Sequence, residues 1–279
     1  MKKIFILSFI FVFSLISFSS FLNSENNPFE IKLDYNNGFT SVLYHTIRSG
    51  KNSGVLGDSI DLVKTGGQDI LFPYSRYNVS ANFFNNHNII FLYQPLTVNT
   101  QTFFKDPVVY DNVTFSGPTK IKYGFDFWRV SYLYDFINND EWLLSAGLSL
   151  QVRNASIVFE SNEGDKLAIT QNVGPVPIIK ARVKKNFDNW YIEMDGDGFY
   201  ASSAFLNGSN FAFEGSIYDV VLKSGLYLND YLETYLGFRV IGGSAKGTSQ
   251  YKDSYNQSEE NYSENYLTTF NVMIGFVLK

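Results

Sequence analysis

The chain has no cysteine among its 279 residues and only two histidines. A protein without cysteine forms no disulfide, and it cannot carry the lipid that modifies an N-terminal cysteine in bacterial lipoproteins. The usual ligands of a transition metal are therefore scarce. Gly66 and Gly67 neither follow a predicted strand nor open a helix, as a phosphate-binding loop would. We expect no metal and no other cofactor, and we assign no catalytic residue.

Long hydrophobic runs are missing after residue 24, and a shorter one lies before it. Lys2 and Lys3 precede an apolar stretch over residues 4–18, which small serine residues follow. This stretch is shorter than the roughly 20 residues that a helix needs to span a bilayer, so an uncleaved anchor is the less favoured alternative. The pattern is typical of a cleaved secretory signal peptide. We predict a signal peptide over residues 1–24 and a mature protein over residues 25–279.

The mature chain is acidic and rich in aromatic residues. Removing Lys2 and Lys3 leaves 20 of the 22 basic residues against 27 acidic ones, a formal charge of 20 − 27 = −7. This balance disfavours nucleic acid as a partner. The chain contains 27 Phe and 19 Tyr, which favour strands over helices. No Pro, Gly or Ser-rich linker divides it, so we predict one domain.

Segments with period-two alternation recur along the chain, separated in turn by short and by long polar connections. This asymmetry is typical of outer-membrane β-barrels, in which short turns face the periplasm and long loops face outward. We predict an all-β, transmembrane antiparallel β-barrel of about ten tall strands with both termini in the periplasm. The short connections are 85–88, 138–140, 188–189 and 228–230, and the long ones are 50–72, 104–118, 158–166, 201–210 and 247–263.

The sequence Asn36-Asn37-Gly38 is a hairpin signal inside the first predicted strand. A hairpin there would make the strand count odd and would place the two chain ends on opposite sides of the membrane. We therefore interpret it as a bulge at Gly38 within one strand of about 20 residues.

The last strand has the clearest alternation, with apolar or aromatic residues at most of the even positions from Tyr266 to Leu278. Here the chain resembles bacterial outer-membrane barrel proteins as a class, whose last strand commonly has this pattern and ends in an aromatic residue that the assembly machinery recognises. This chain differs in ending at Lys279. The resemblance implies location in the outer membrane, contact with its lipids and assembly by the barrel-assembly machinery.

Charged residues of both signs alternate on strands that flank the turn at 188–189. With a two-residue turn, Lys184 pairs with Glu193, Arg182 with Asp195 and Lys180 with Asp197, all on one face. Because charge is costly against lipid, this face is predicted to line the lumen. In the next hairpin, a three-residue turn would pair Asp219 with Arg239. The predicted luminal charge ladder thus comprises Lys180, Arg182, Lys184, Glu193, Asp195, Asp197, Asp219 and Arg239, and such a narrow charged lumen is predicted to be plugged.

The charged residues around Phe127 switch from even to odd positions, with Lys122 and Asp126 before it and Arg129 after it. If all three face the lumen, the strand must contain a bulge between Phe127 and Trp128.

Two classes of outer-membrane enzyme would depend on the histidines. The sequence Asp195-Gly196-Asp197 is similar to the paired aspartates of omptins, ten-stranded outer-membrane proteases. Omptins also combine a second aspartate with a histidine two residues on, and neither His45 nor His87 has an aspartate there. A lipid-directed hydrolase could instead use His45 with Ser41 and a carboxylate from a neighbouring strand.

The sequence favours a non-enzymatic barrel of structural or surface-binding type, whose long loops would contact an extracellular ligand. A narrow channel for ions or small solutes is the first alternative, and an outer-membrane hydrolase acting on lipid or peptide is the second.

Overall fold

A computed structural model describes residues 29–52, 54–202, 213–248 and 262–279. The predicted signal peptide lies outside these residues. Within them, no helix has the length and hydropathy needed to cross a membrane. The described residues form thirteen strands: β1 Phe29–Asn52, β2 Val55–Leu56, β3 Ile60–Asp61, β4 Leu71–Phe83, β5 His87–Gln94, β6 Thr97–Tyr110, β7 Val113–Asn138, β8 Trp142–Ser161, β9 Leu167–Asn186, β10 Trp190–Ser202, β11 Phe213–Asn229, β12 Leu232–Thr248 and β13 Tyr262–Leu278.

The strands form one antiparallel sheet that closes on itself through pairing of β1 with β13. Strands β5 and β6 pair with β7 in one continuous register and count as a single strand interrupted at Pro95 and Leu96. Since β2 and β3 only add short pairings to β1, the closed wall has ten strands. The predicted ten-stranded antiparallel barrel is confirmed. The side on which the termini lie stays a prediction.

The first strand runs unbroken through Asn36-Asn37-Gly38, so the interpretation as one long strand is confirmed. The predicted position of the bulge was wrong. The register against β13 stays regular past Gly38 and shifts only between Val42 and Tyr44. Gly38 is required for a different reason, because a Cβ there would lie 2.0 Å from the carbonyl oxygen of Val272 on β13.

The prediction of a long loop over residues 104–118 was wrong. They continue β6 and β7 as a hairpin whose turn is Asp111-Asn112. Both turn residues have positive φ, 51° and 61°, which is the geometry of a tight type I′ turn. The other long connections are shortened at their ends by continuing strands, and parts of 201–210 and 247–263 lie outside the described residues.

The outer surface carries a band of exposed apolar side chains that surrounds the barrel. Every strand of the closed wall contributes to this apolar band, which ends near aromatic residues such as Trp142 at the turn end and Trp128 at the loop end. A closed barrel has no unpaired edge, and an apolar exterior around it is the architecture of a bacterial outer-membrane protein. Members of the band include Tyr35, Phe39, Val79, Phe91, Val130, Leu148, Leu150, Ile179, Met194, Val220, Leu222, Phe238 and Ile274.

The same face of β7 points to the interior along the whole strand, but its side chains are mostly polar within the band and apolar beyond it, at the loop end. Arg129 faces the interior and is 1% exposed, whereas Lys122 faces outward. The strand has no register shift between Phe127 and Trp128, so the predicted bulge there was wrong, as was the luminal position of Lys122 and Asp126. The neighbouring strand is interrupted instead, between β5 and β6. There the Asp126 carboxylate accepts a hydrogen bond from the Leu96 amide at 2.8 Å.

This exchange of polar and apolar faces has a simple cause, because lipid surrounds the band and water surrounds the part of the barrel beyond it. In water the interior must supply the hydrophobic core and the outer face becomes polar. The strands beyond the band, with the segment after β1, enclose such a core, and we call this part the extension. Its core includes Ile47, Ile60, Leu62, Phe104, Val108, Tyr110, Phe115, Ile121, Tyr123, Phe125, Phe127, Ala155, Ile157, Phe159 and Ala168.

Candidate functional site

The interior of the barrel at the level of the band is polar and charged. Across the turn between β9 and β10, the register places Lys184 opposite Glu193, Arg182 opposite Asp195 and Lys180 opposite Asp197. These are the pairs that a two-residue turn predicts. Two of them form direct ion pairs, with 2.9 Å from Lys180 Nζ to Asp197 Oδ2 and 2.8 Å from Arg182 Nε to Asp195 Oδ1.

The third pair, Lys184 and Glu193, form their ion pairs with residues of other strands and not with each other. Lys184 lies 3.8 Å from Glu233 on β12, whereas Glu193 pairs with Lys223 on β11 at 3.1 Å. Lys223 also lies 3.5 Å from Asp34 on β1. The charges therefore form one ladder that crosses from β9 to β1, in which each buried group has a partner of opposite sign.

Asp219 and Arg239 were predicted to face each other across the β11–β12 hairpin, and this register was wrong. The turn between β11 and β12 has only two residues, and a bulge beside it shifts the register between Tyr227 and Asn229. Asp219 therefore stands opposite Ile241, and Arg239 opposite Val221. The two side chains nevertheless meet diagonally, with 2.6 Å between Arg239 Nε and Asp219 Oδ1. Diagonal neighbours across strands lie within reach of a side chain as long as arginine.

A layer of ten buried polar side chains crosses the lumen at one level, one from each strand of the closed wall. We call it the charged layer. None of its members is more than 6% exposed. They are Thr40, Arg76, Gln94, Arg129, Gln151, Lys180, Asp197, Asp219, Arg239 and Asn271.

Two guanidinium groups connect this layer. Arg129 binds Asp197 at 2.9 Å and Asp219 at 3.1 Å, and it donates to Gln151. Arg239 binds Asp219 and also donates to Gln94 on the opposite side of the barrel at 2.6 Å. Planar guanidinium groups suit such bidentate, charge-assisted contacts.

Two cavities lie on opposite sides of the charged layer. The larger has a volume of about 340 Å³ and extends toward the turn end, where Asn82, Asn85 and Asn138 line it. The smaller, of about 50 Å³, lies toward the extension between apolar residues such as Phe125 and Ile241. The lumen thus consists of a polar chamber, the charged layer and an apolar pocket under the core of the extension.

His45 lies in the extension, beyond the apolar band, and is completely buried. Its Nδ1 donates a hydrogen bond to Gln68 Oε1 at 2.7 Å, and its ring packs edge-on against Tyr123. Burial lowers the pKa of His45 to about 4, although the hydrogen bond to Gln68 acts in the opposite direction. The ring is therefore neutral near pH 7 and inaccessible to a substrate.

The predicted partner Ser41 does not join His45. Ser41 alternates with Thr40 and Val42, whose side chains face the interior, so it lies on the outer face of β1. The arrangement of His45 with Ser41 was wrong because Leu43 is bulged out of register, which changes the parity between the two residues. His87 is at the turn end, where its Nδ1 pairs with the Tyr132 hydroxyl.

The four uncharged members of the layer, Thr40 and three amides, were missed because nothing marks them in the sequence. Gln94, Gln151 and Asn271 are uncharged polar residues in alternating strands, as many solvent-facing residues are. Only the register shows that they lie at the level of Arg129 and Arg239. A signal did exist for the tight turn at Asp111-Asn112, which lies between two β-branched and aromatic runs.

Within the described ranges, no group of three or more His, Cys, Asp or Glu side chains could hold a metal ion. No protein-family model and no curated protein matches the chain. The barrel is similar to the outer membrane protease OmpT from Escherichia coli, with a TM-score of 0.48 and 12% identity over 91% of this chain and 97% of that one.

Two further solved structures are similar. The translocator domain of autotransporter NalP from Neisseria meningitidis has a TM-score of 0.38 and 11% identity, over 100% of this chain and 98% of that one. The outer membrane protein OprG from Pseudomonas aeruginosa has a TM-score of 0.37 and 13% identity, over 88% and 94%. At these scores and identities, the similarity assigns no function to this chain.

Proposed function

We propose that this outer-membrane barrel is a closed membrane anchor of structural or surface-binding type that presents the extension outside the cell. The charged layer carries this proposal. It takes one side chain from every strand of the wall, and Arg129 and Arg239 hold it together through carboxylates that are themselves at most 5% exposed. A solute would have to break several buried ion pairs in order to pass.

The extension supports the binding part of the proposal. It is a folded unit with its own hydrophobic core and a paired β-hairpin, so it holds its exposed surface in a fixed geometry. A preformed surface loses less conformational entropy on binding than a flexible loop does. The outer face of β6 offers polar side chains such as Asn99 and Gln101 to a ligand.

The absence of cysteine allows a direct test of which end faces outward. Glu163 lies in the loop after β8 and Asp140 in the turn before it, and both are exposed. With Glu163→Cys, we expect labelling of intact cells by a membrane-impermeant maleimide. With Asp140→Cys, we expect labelling only after the outer membrane is permeabilised.

The two variants are matched, because they flank the same strand and each introduces the only thiol of the chain. Labelling of Asp140→Cys but not Glu163→Cys on intact cells would contradict the proposed orientation.

A further inference from the structure

Arg76 is the one member of the charged layer that the others leave without a bond. It lies on the interior face of β4 and is 6% exposed. It has neither a hydrogen bond nor an ion pair with any described residue, and its Nε is fully buried without an acceptor. A buried cation without a bonded carboxylate is unfavourable, so the unpaired side chain of Arg76 requires an explanation.

The carboxylates near Arg76 are already engaged. Those that act on it electrostatically are Asp34 and Asp219, and the guanidinium groups of Arg129 and Arg239 act on it with the opposite sign. Both oxygens of Asp219 accept from Arg239, and Oδ2 also accepts from Arg129.

Both oxygens of Asp34 likewise have partners. Its Oδ1 accepts the Tyr235 hydroxyl at 2.7 Å, and its Oδ2 accepts from the Asn78 amide at 3.2 Å and lies 3.5 Å from Lys223 Nζ. Among the described residues, the two carboxylates that act on Arg76 thus have donors of their own, and an added anion would give Arg76 a partner.

Arg76 also lines the polar chamber of about 340 Å³. A water molecule occupies about 30 Å³ of liquid, so the chamber has room for a small organic anion together with several waters. Residues of the turn end line the same chamber, which gives a small molecule a path to Arg76 from that side. The site thus combines a buried cation, a space beside it and an entrance.

We propose that Arg76 anchors a luminal site for a small oxyanion, one that bears a carboxylate or a phosphate group. A guanidinium group offers paired N–H donors that match two oxygens of either group. The site lies on the turn-end side of the charged layer, so it binds without opening the lumen. This inference is independent of what the extension binds.

Isothermal titration calorimetry of the whole barrel in detergent micelles tests the site, with inorganic phosphate and acetate as separate probes in a buffer free of both. We expect saturable binding of at least one probe to the unmodified protein. In Arg76→Gln we expect affinity for that probe to fall by roughly tenfold or more, as loss of a charge-assisted bidentate contact implies.

Lys32→Gln is the matched control. Lys32 lines the same chamber, but it is paired with Glu30 at 3.0 Å and its side chain is 38% exposed. Its removal should leave the affinity within roughly threefold of the original, because a screened surface charge contributes little. Which probe binds distinguishes phosphate from carboxylate. An absence of saturable binding by both, or an equal loss in the two variants, would overturn the proposal.

Folding of each variant is checked by the heat-dependent mobility shift of a closed barrel on gels. If Arg76→Gln does not fold, Arg76→Lys replaces it, since lysine keeps the charge and lacks the planar pair of donors. Affinity reduced in Arg76→Lys supports the site, and unchanged affinity contradicts the role of the guanidinium group.

Discussion

Asp219→Asn is expected to destabilise the barrel by about 3 to 5 kcal/mol, the usual effect of removing one partner from a buried ion pair. Asp219 is completely buried and is the carboxylate that Arg129 and Arg239 share, at 3.1 and 2.6 Å. Asparagine has the same shape but no charge. In the variant, Asp197 would be the remaining carboxylate of the charged layer. Three guanidinium groups of that layer, including the one of Arg76, would face it.

Reversible urea unfolding in lipid vesicles, followed by tryptophan fluorescence, measures this change. Glu160→Gln is the control, because Glu160 also has a cationic partner, Lys120 at 3.9 Å, but both side chains are more than 40% exposed. An exposed pair contributes at most about 1 kcal/mol. Equal effects of the two substitutions would show that the charged layer does not stabilise the fold.

Leu148→Arg is expected to destabilise the protein by about 2 to 4 kcal/mol in a bilayer, as cations on the lipid face of outer-membrane barrels do near the midplane. Leu148 is 67% exposed and lies in the middle of the apolar part of β8, between Leu144 and Val152. In water, exposure of this leucine would make arginine harmless. The predicted cost therefore depends on lipid covering this surface.

Gln101→Arg provides the matched control, since Gln101 is exposed on the outer face of β6 in the extension. The same vesicle unfolding assay should show a change below about 0.5 kcal/mol, which is typical of a surface substitution in water. A similar cost at both positions would contradict the boundary between the apolar band and the extension.

Much of the barrel could be predicted because lipid imposes a simple rule on the sequence. Charge is excluded from the outer face within the band, so Lys180, Arg182, Asp195 and Asp197 had to face inward, and turn length then set their register. Closure of the sheet followed from the same rule, because an open edge in lipid leaves backbone groups without partners.

The rule fails where lipid ends, and the errors lie there. Around Phe127 the strand passes from lipid into water, and its polar face changes from inner to outer without any bulge. A sequence alone does not show the level at which this happens, so the predicted luminal position of Lys122 and Asp126 was wrong. The bulge at Leu43 likewise depends on packing against neighbouring strands, and it separated Ser41 from His45.

Contacts between distant strands were also beyond prediction. Arg239 reaches Gln94 across 145 residues, and Asp219 reaches Arg129 across 90. Such contacts depend on the diameter and shear of the closed barrel, which fix the strands that face each other across the lumen. The charged layer therefore became visible only in the folded structure.

The claim that the lumen is closed is tested most directly by the electrical conductance of the purified barrel in a planar lipid bilayer. With the charged layer intact, the inserted protein should show no steady single-channel current above the bare membrane. The alternative function as a narrow channel gives the opposite result. A steady conductance from the unmodified protein, with an ion selectivity that changes when Lys180 or Asp197 is replaced, would contradict a closed anchor.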